Sequence, residues 1–170
     1  MNAGVRGRRL RPAEAGPAAV NLMLAGLLTG NELGGWVAVH PALDKLPPPT
    51  RLRAEQAVYA RYGKIMPFLM TATVASGVLA ASKTSDRASA YFRLTAAGSA
   101  CYAAMLCVTL VGNVPINKEI LSLPDDPTGY AQLPPLRRQW DRLHSVRNVL
   151  NLAGLGLTVA GALAGACARR

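Results

Sequence analysis

Four long stretches of apolar residues with almost no charge constrain the fold of this chain more than any other feature. They cover residues 18–39, 65–82, 94–112 and 148–167, and most charged side chains lie in the segments around them. A helix needs about 20 apolar residues to cross the hydrocarbon core of a bilayer. Lipid cannot satisfy free backbone groups, so only helices and closed barrels span it. The sequence therefore predicts an all-α integral membrane protein, folded as a four-helix bundle.

The segments outside these spans predict the domain organisation. Residues 1–17 are basic and rich in Gly and Pro, which predicts a flexible tail before a single transmembrane domain at 18–170. The first span is too long for a cleaved signal peptide, so we expect it to stay as an anchor. The stretch "RLRAEQAVYARY" predicts a separate amphipathic helix. We expect Pro41 to end the first helix and the "LPP" at 133–135 to break the connection before the fourth.

The net charge of +10 does not indicate nucleic-acid binding in this chain. Arginines near both ends flank predicted spans, where they match anionic head groups, so we expect membrane lipids and no nucleic acid as partners. Lysine and arginine are divided almost evenly between the two sides, whereas net charge favours cytoplasmic termini. The expected location is a bacterial plasma membrane.

Glycines recur at four-residue intervals in two of the spans. They are Gly26, Gly30 and Gly34 in the first span, and Gly161 and Gly165 in the fourth. Small residues at this spacing let another helix approach closely in lipid. Glycine faces beyond those needed inside one bundle also suggest a homo-oligomer.

Polar side chains interrupt the spans at positions that helical periodicity places together. Glu32, Trp36 and His40 follow at four-residue intervals, so one helix edge would carry a carboxylate, an indole and an imidazole. Insertion scales give about 2.5 to 3.5 kcal/mol for an acidic residue at the membrane centre, so its retention indicates function. We expect Glu32 to face the bundle interior beside a polar partner, with Asn31, Arg147 and Asn151 as candidates.

The same arithmetic groups polar residues at the end of the third span and the start of the fourth. Asn113 and Asn117 lie one turn apart, and Trp140, His144, Arg147 and Asn148 share a helical face. Consecutive spans run in opposite directions, so these helix ends meet on the side of the membrane opposite the termini. We expect one cavity there, lined by His40, Met66, Asn113, Asn117, His144 and Arg147.

Each of these residues also has a structural explanation when it is considered alone. The asparagines could cap or tie helices, Trp140 could belong to the interfacial aromatic belt, and Arg147 could reach lipid phosphates. Glu32 is the hardest to explain without a function. The convergence of all of them favours a functional site.

The sequence resembles the anthrone-oxygenase-like family of small four-helix membrane proteins. The resemblance is carried by "NVPIN" at 113–117, by "W" and "LHSVRN" within 140–148 and by "HPAL" at 40–43, and it covers about residues 20 to 165. It implies oxidation of anthrones to anthraquinones with O2 as co-substrate and no obvious cofactor. The family pattern falls on Asn113, Pro115, Asn117, Trp140, His144 and Arg147. "GNELGGW" is less general in that pattern, so the resemblance leaves open a subgroup, marked by Glu32, with different chemistry.

The leading hypothesis is a membrane oxygenase, a monooxygenase acting with O2 on a small apolar aromatic substrate such as an anthrone or phenol, in natural-product biosynthesis. His144 or Glu32 would remove a proton, and Arg147 would stabilise the negative charge that develops. Asn113 and Asn117 would orient that charge. The substrate contacts would come from Trp36, Trp140, Met66 and Asn148.

Two alternatives remain open at this stage. His40, His144 and Glu32 form a candidate ligand set for copper or iron, and the two histidines could instead hold a haem. The non-catalytic alternative is a lipid- or quinone-binding membrane subunit, in which Arg147 and the asparagines hold a head group.

Overall fold

The computed structural model describes residues 12–167, which are helical apart from short connections and include no strand. Helix α1 (Pro12–Gly34) runs through a π-helical turn (Gly35–Val39) into α2 (His40–Leu43), and α3 (Pro48–Lys83) follows. Helix α4 (Ala90–Val108) runs through a second π-helical turn (Thr109–Asn113) into α5 (Val114–Ser122), and α6 (Pro127–Cys167) follows. The prediction of an all-α fold is confirmed.

Joined through their π-helical turns, the described helices form four continuous rods, each long and apolar enough to cross a membrane. We number them spans 1 to 4, and they cover Glu14–Leu43, Pro48–Lys83, Ala90–Ser122 and Pro127–Ala166. Spans 1 and 3 each pack mainly against spans 2 and 4, so the four rods form a ring. Short connections make neighbouring rods antiparallel. This arrangement is the predicted four-helix bundle.

The rods extend well beyond the apolar segments. Helix α3 has 36 residues and α6 has 41, which at 1.5 Å per residue is about 54 and 62 Å, against a hydrocarbon core of about 30 Å. The stretch expected as a separate amphipathic helix is the first part of α3. Helix α1 begins at Pro12, within the segment expected to be a tail, whereas residues 1–11 lie outside the described residues.

The prolines expected to end helices do not do so. Pro41 lies within α2, which continues to Leu43, and Pro134 and Pro135 lie inside α6. A proline removes one intrahelical hydrogen bond, and its ring crowds the carbonyl four residues earlier. Both effects predict that a helix ends at such a proline. Around Pro134 and Pro135, Leu133 and Trp140 of α6 pack into one apolar cluster with residues of α3 and α5, which supports the helix on both sides of the prolines.

Both π-helical turns occur just before a proline. The backbone N–H of His40 donates to the Gly35 carbonyl before Pro41, and that of Val114 donates to the Thr109 carbonyl before Pro115. A π-helical turn holds one more residue than an α-helical turn. We attribute both turns to the proline ring, because the wider turn relieves its crowding against the preceding carbonyl.

Spans 3 and 4 approach most closely at glycines. A Cβ atom at Gly98 would lie 2.8 Å from Thr158 Oγ1 and 3.0 Å from the carbonyl oxygen of Gly154. A Cβ atom at Gly161 would lie 3.1 Å from Thr95 Oγ1. Gly161 therefore makes the close helix contact that its spacing predicts.

The glycine stripe of span 1 behaves differently. Cβ atoms at Gly26, Gly30 and Gly34 would meet nothing within 4 Å among the atoms of the described chain. The stripe therefore takes no part in the packing inside the bundle. It stays an outward face, and its use in a homo-oligomer remains a prediction.

The contrast between these glycines can be tested with two matched variants. Gly98→Ala and Gly30→Ala gain the same helix propensity, but only the first methyl group meets a backbone oxygen of another span. We expect Gly98→Ala to lower the free energy of unfolding by about 1–3 kcal/mol relative to Gly30→Ala, as overpacking does. Thermal unfolding in detergent measures the difference. Equal melting temperatures would show that spans 3 and 4 do not touch at Gly98.

Candidate functional site

A cavity of about 190 Å³ lies between the four spans, in the half of the bundle opposite the described ends of the chain. It lies where the apolar parts of the spans meet their polar extensions. Most of its wall is apolar. Its polar and aromatic lining includes Glu32 and His40 of span 1, Tyr59 and Tyr62 of span 2, Asn117 of span 3, and Trp140, His144 and Arg147 of span 4. Met66 is also part of the wall.

A buried ion pair joins span 1 to span 4 at this cavity. Arg147 Nη2 donates to Glu32 Oε1 at 2.5 Å, and both residues are buried. The second carboxylate oxygen, Oε2, lies 3.4 Å from Nδ1 of His144. A charge in an apolar interior is tolerated only when it is paired. Arg147 is thus the polar partner of Glu32, one of the three candidates that the sequence suggested.

The hydrogen bonds of Asn148 fix the orientation of His144. Asn148 Nδ2 lies 3.0 Å from the His144 carbonyl oxygen and 3.2 Å from His144 Nε2. An amide nitrogen only donates, so Nε2 accepts, and the ring hydrogen of a neutral imidazole is assigned to Nδ1, which faces Glu32. A carboxylate beside Nδ1–H leaves Nε2 as the basic nitrogen, as in hydrolytic triads.

The sequence placed Asn148 among the substrate contacts, but the structure places it elsewhere. Its side chain is fully buried and does not line the cavity. Its amide group contacts His144 instead. Asn148 therefore acts on the site through the imidazole and not through a bound molecule.

Trp140 packs against both histidine rings. Its ring centroid lies 4.6 Å from that of His40 and 4.4 Å from that of His144. Its Nε1–H donates to Asn117 Oδ1 at 2.7 Å, and its carbonyl oxygen accepts from Asn113 Nδ2 at 3.3 Å. The two asparagines of span 3 therefore hold Trp140 in place. Asn117 also lines the cavity, whereas Asn113 is fully buried and lies outside its lining.

A second group of buried charges lies beside Trp140, and the sequence analysis missed it. Arg137 lies 4.6 Å from the centre of the Trp140 ring and donates to the Tyr59 hydroxyl at 2.6 Å. It also contacts carboxylate oxygens of Glu55 at 3.1 Å and Asp141 at 2.6 Å. The sequence does contain a sign of this group. Glu55 and Tyr59 on α3 are four residues apart, as are Arg137 and Asp141 on α6, so each pair lies on one face of its helix.

Trp36 does not line the cavity, although α-helical periodicity places it on the same helix edge as Glu32 and His40. It is 38% exposed and lies in the π-helical turn. In a regular α-helix Glu32 and His40 would stand about 80° apart with Trp36 between them. One extra residue in the turn rotates the later part of the helix by roughly 100°, which brings Glu32 and His40 to within about 20° of each other. Gly35, not Trp36, then lies on the shared face.

The candidate metal ligands do not form a metal site. Within residues 12–167, no three His, Cys, Asp or Glu side chains form a group that could hold a metal ion. Glu32 is instead paired with Arg147, whose guanidinium takes the place beside the carboxylate. The rings of His40 and His144 touch edge to face with centroids 5.5 Å apart. The two rings pack directly against each other, which leaves no room for a haem between them.

The fold and the site together define a small membrane protein with an apolar cavity and a buried set of acid–base groups. The sequence model of the anthrone oxygenase family matches residues 56–157, which is more than half of the chain. The chain belongs to this family. No curated protein and no solved structure gives a match. The matched region contains Trp140, His144 and Arg147, whereas Glu32 and His40 lie in span 1, before it.

The ion pair can be tested with a double-mutant cycle. Glu32→Gln and Arg147→Gln should each lower the free energy of unfolding by about 3–5 kcal/mol, because each leaves the other charge buried and unpaired. The double variant should lose less than the sum of the two. Thermal unfolding in detergent gives all three values.

The exposed pair Arg53–Asp125 is the control for this cycle. Its atoms are 2.6 Å apart, but its side chains are 68% and 41% exposed. Arg53→Gln should leave the melting temperature unchanged, because water screens such a pair. Simple additivity in the Glu32–Arg147 cycle would contradict the pairing.

Proposed function

We propose that this protein is a membrane-embedded oxygenase that uses O2 to oxidise a small apolar aromatic substrate of the anthrone or phenol type. The observation that carries the proposal is the buried group of His144, Glu32 and Arg147 in the wall of an apolar cavity. Membership in the anthrone oxygenase family supports the reaction class.

The cavity suits a substrate dissolved in the bilayer. Three of its lining residues, Gly63 and Pro67 of span 2 and Leu110 of span 3, are also exposed on the outside of the bundle. That outer surface faces lipid, so the cavity edge lies where a flat apolar molecule could pass between spans 2 and 3. Met66 and Trp140 then offer it apolar contacts inside.

The proposed chemistry begins with proton removal by His144. An anthrone carries a CH2 group between two aromatic rings and opposite a carbonyl group, so loss of a proton gives a delocalised anion. His144 Nε2 takes that proton in place of the hydrogen bond from Asn148. Glu32, beside Nδ1–H, stabilises the resulting imidazolium.

The anion then reduces O2. A new C–O bond forms to give a peroxide, the second C–H proton leaves, and the O–O bond breaks, so that the CH2 group becomes a carbonyl group and the second oxygen atom leaves as water. Atoms and electrons balance with O2 as the only oxidant. Arg147 lines the cavity, and its Nε–H has no hydrogen-bond partner among the described residues. The guanidinium brings positive charge to the cavity wall, where it can stabilise an enolate or peroxide oxygen.

The test measures O2 consumption and quinone formation by the purified protein in detergent with anthrone as the probe. His144→Gln should lower the rate by about 10²- to 10⁴-fold, the usual loss when a general base is removed. Asn117→Ala should cause a smaller loss, because it removes one hydrogen bond to Trp140.

Val146→Ala is the control for both variants. Val146 lies beside Arg147 in the chain but is 49% exposed on the lipid side, so activity should not change. Thermal unfolding of each variant separates chemistry from folding. Binding of anthrone without O2 consumption would support a non-catalytic lipid- or quinone-binding subunit, and near-normal turnover by His144→Gln would reject His144 as the base.

A further inference from the structure

Gly35 leaves the space in front of both histidines open. A Cβ atom at this position would lie 3.8 Å from Nε2 of His144 and 3.9 Å from Nε2 of His40, and these rings are its nearest neighbours outside its own helix segment. Such distances are ordinary van der Waals contacts. All three residues line the cavity. A side chain at position 35 would therefore cover the nitrogen edges of both imidazoles.

His40 has no part in the chemistry described so far. It is 8% exposed, and its Nδ1 has no hydrogen-bond partner within residues 12–167. A buried polar atom without a partner is costly and uncommon in native proteins. Its ring instead packs against Trp140 and His144, with its other nitrogen toward the space beside Gly35.

The π-helical turn of span 1 couples Gly35 to His40. The N–H of His40 donates to the carbonyl of Gly35, which closes the wide turn and sets the two residues on the cavity face. Single π-helical turns of this kind are frequent at functional sites. The turn therefore places the His40 imidazole and the bare backbone of Gly35 beside the same space that the His144 imidazole faces from span 4.

We propose that His40 and His144 act as a pair on one substrate group, in the space that Gly35 leaves open. This inference rests on the proposed oxygenase function and adds a second catalytic residue to it. His144 removes the protons of the reacting carbon, and His40 delivers protons to the reduced oxygen.

The proton transfers balance within the pair. The first proton from carbon reaches the peroxide oxygen and gives a hydroperoxide. Loss of the second proton to His144 forms the carbonyl group and breaks the O–O bond. His144 passes this proton to His40, and the departing hydroxide takes it from His40 and leaves as water, so both imidazoles end neutral, as they began.

Gly35→Ala, with Gly34→Ala as the matched control, tests the open space. A Cβ atom at Gly34 would meet nothing within 4 Å, and Gly34 does not line the cavity. The chain has only two histidines, so ¹⁵N-histidine labelling reports on this site alone. Gly35→Ala should shift the ring ¹⁵N signals of both histidines at an unchanged melting temperature, and Gly34→Ala should shift neither. A shift in only one histidine, or in neither, would overturn the shared space.

His40→Gln tests the division of roles. With anthrone and O2, this variant should still consume O2, but hydroperoxide or H2O2 should accumulate in place of quinone, because the base remains and the proton donor is lost. His144→Gln should lower O2 consumption and peroxide release together, by the same 10²- to 10⁴-fold, roughly the loss expected for a general base. Equal loss of O2 consumption and quinone formation in His40→Gln would mean that His40 only supports the structure.

The labelled protein also separates failure of the pair from failure of the proposed function. If the wild-type protein does not oxidise anthrone, the oxygenase proposal fails. Added anthraquinone, which cannot react further, then decides the pair. A shift of both histidine signals on binding supports it, and a shift of one or none rejects it.

Discussion

The buried ion pair between Glu32 and Arg147 is the interaction on which the site depends. It places two charges inside the bundle, where each would be strongly unfavourable alone. Because the partners stand on different spans, the pair fixes how span 1 is rotated against span 4. The carboxylate then reaches Nδ1 of His144, and Nε2 becomes the nitrogen that can accept a proton.

The rest of the bundle supports this pair from both sides along the helix axes. On the membrane side, Leu28, Met70 and Tyr102 belong to one apolar cluster. On the side of the polar extensions, Leu52 and Ile120 belong to a second cluster, which also includes Tyr59 and Trp140. The site lies between the two clusters, so its polar groups are kept from water without being inside either core. Arg137, held by Glu55 and Asp141, closes the site above the Trp140 ring.

Much of this arrangement could be predicted from the sequence, and the rest had identifiable physical causes. Apolar length alone predicts four helices, and antiparallel order alone brings His40, Asn117, His144 and Arg147 to one end. Trp36 lies outside the cavity wall, since α-helical periodicity does not show where a helix takes an extra residue. The asparagine contacts with Trp140 depend on tertiary packing, which a single sequence does not contain. The Arg137 group was missed because its charges looked like those of a solvated helix face, whereas the structure buries them.

The π-helical turn of span 1 makes the length of a helix a functional property in its own right. The rotation between Glu32 and His40 depends both on how many residues separate them and on the pitch of the helix between them. Loss of one residue between 36 and 39 would return the turn to α-helical pitch and leave a continuous apolar rod. Seven residues at α-helical pitch turn through about 700°, so Glu32 and His40 would still stand within about 20° of each other. A change of pitch without a change of length would separate them instead, because eight residues at α-helical pitch place them about 80° apart. A spacing of eight residues from Glu32 to His40 therefore requires the π-helical turn, whereas a spacing of seven requires a regular α-helix, and natural variants that keep this site should change both together.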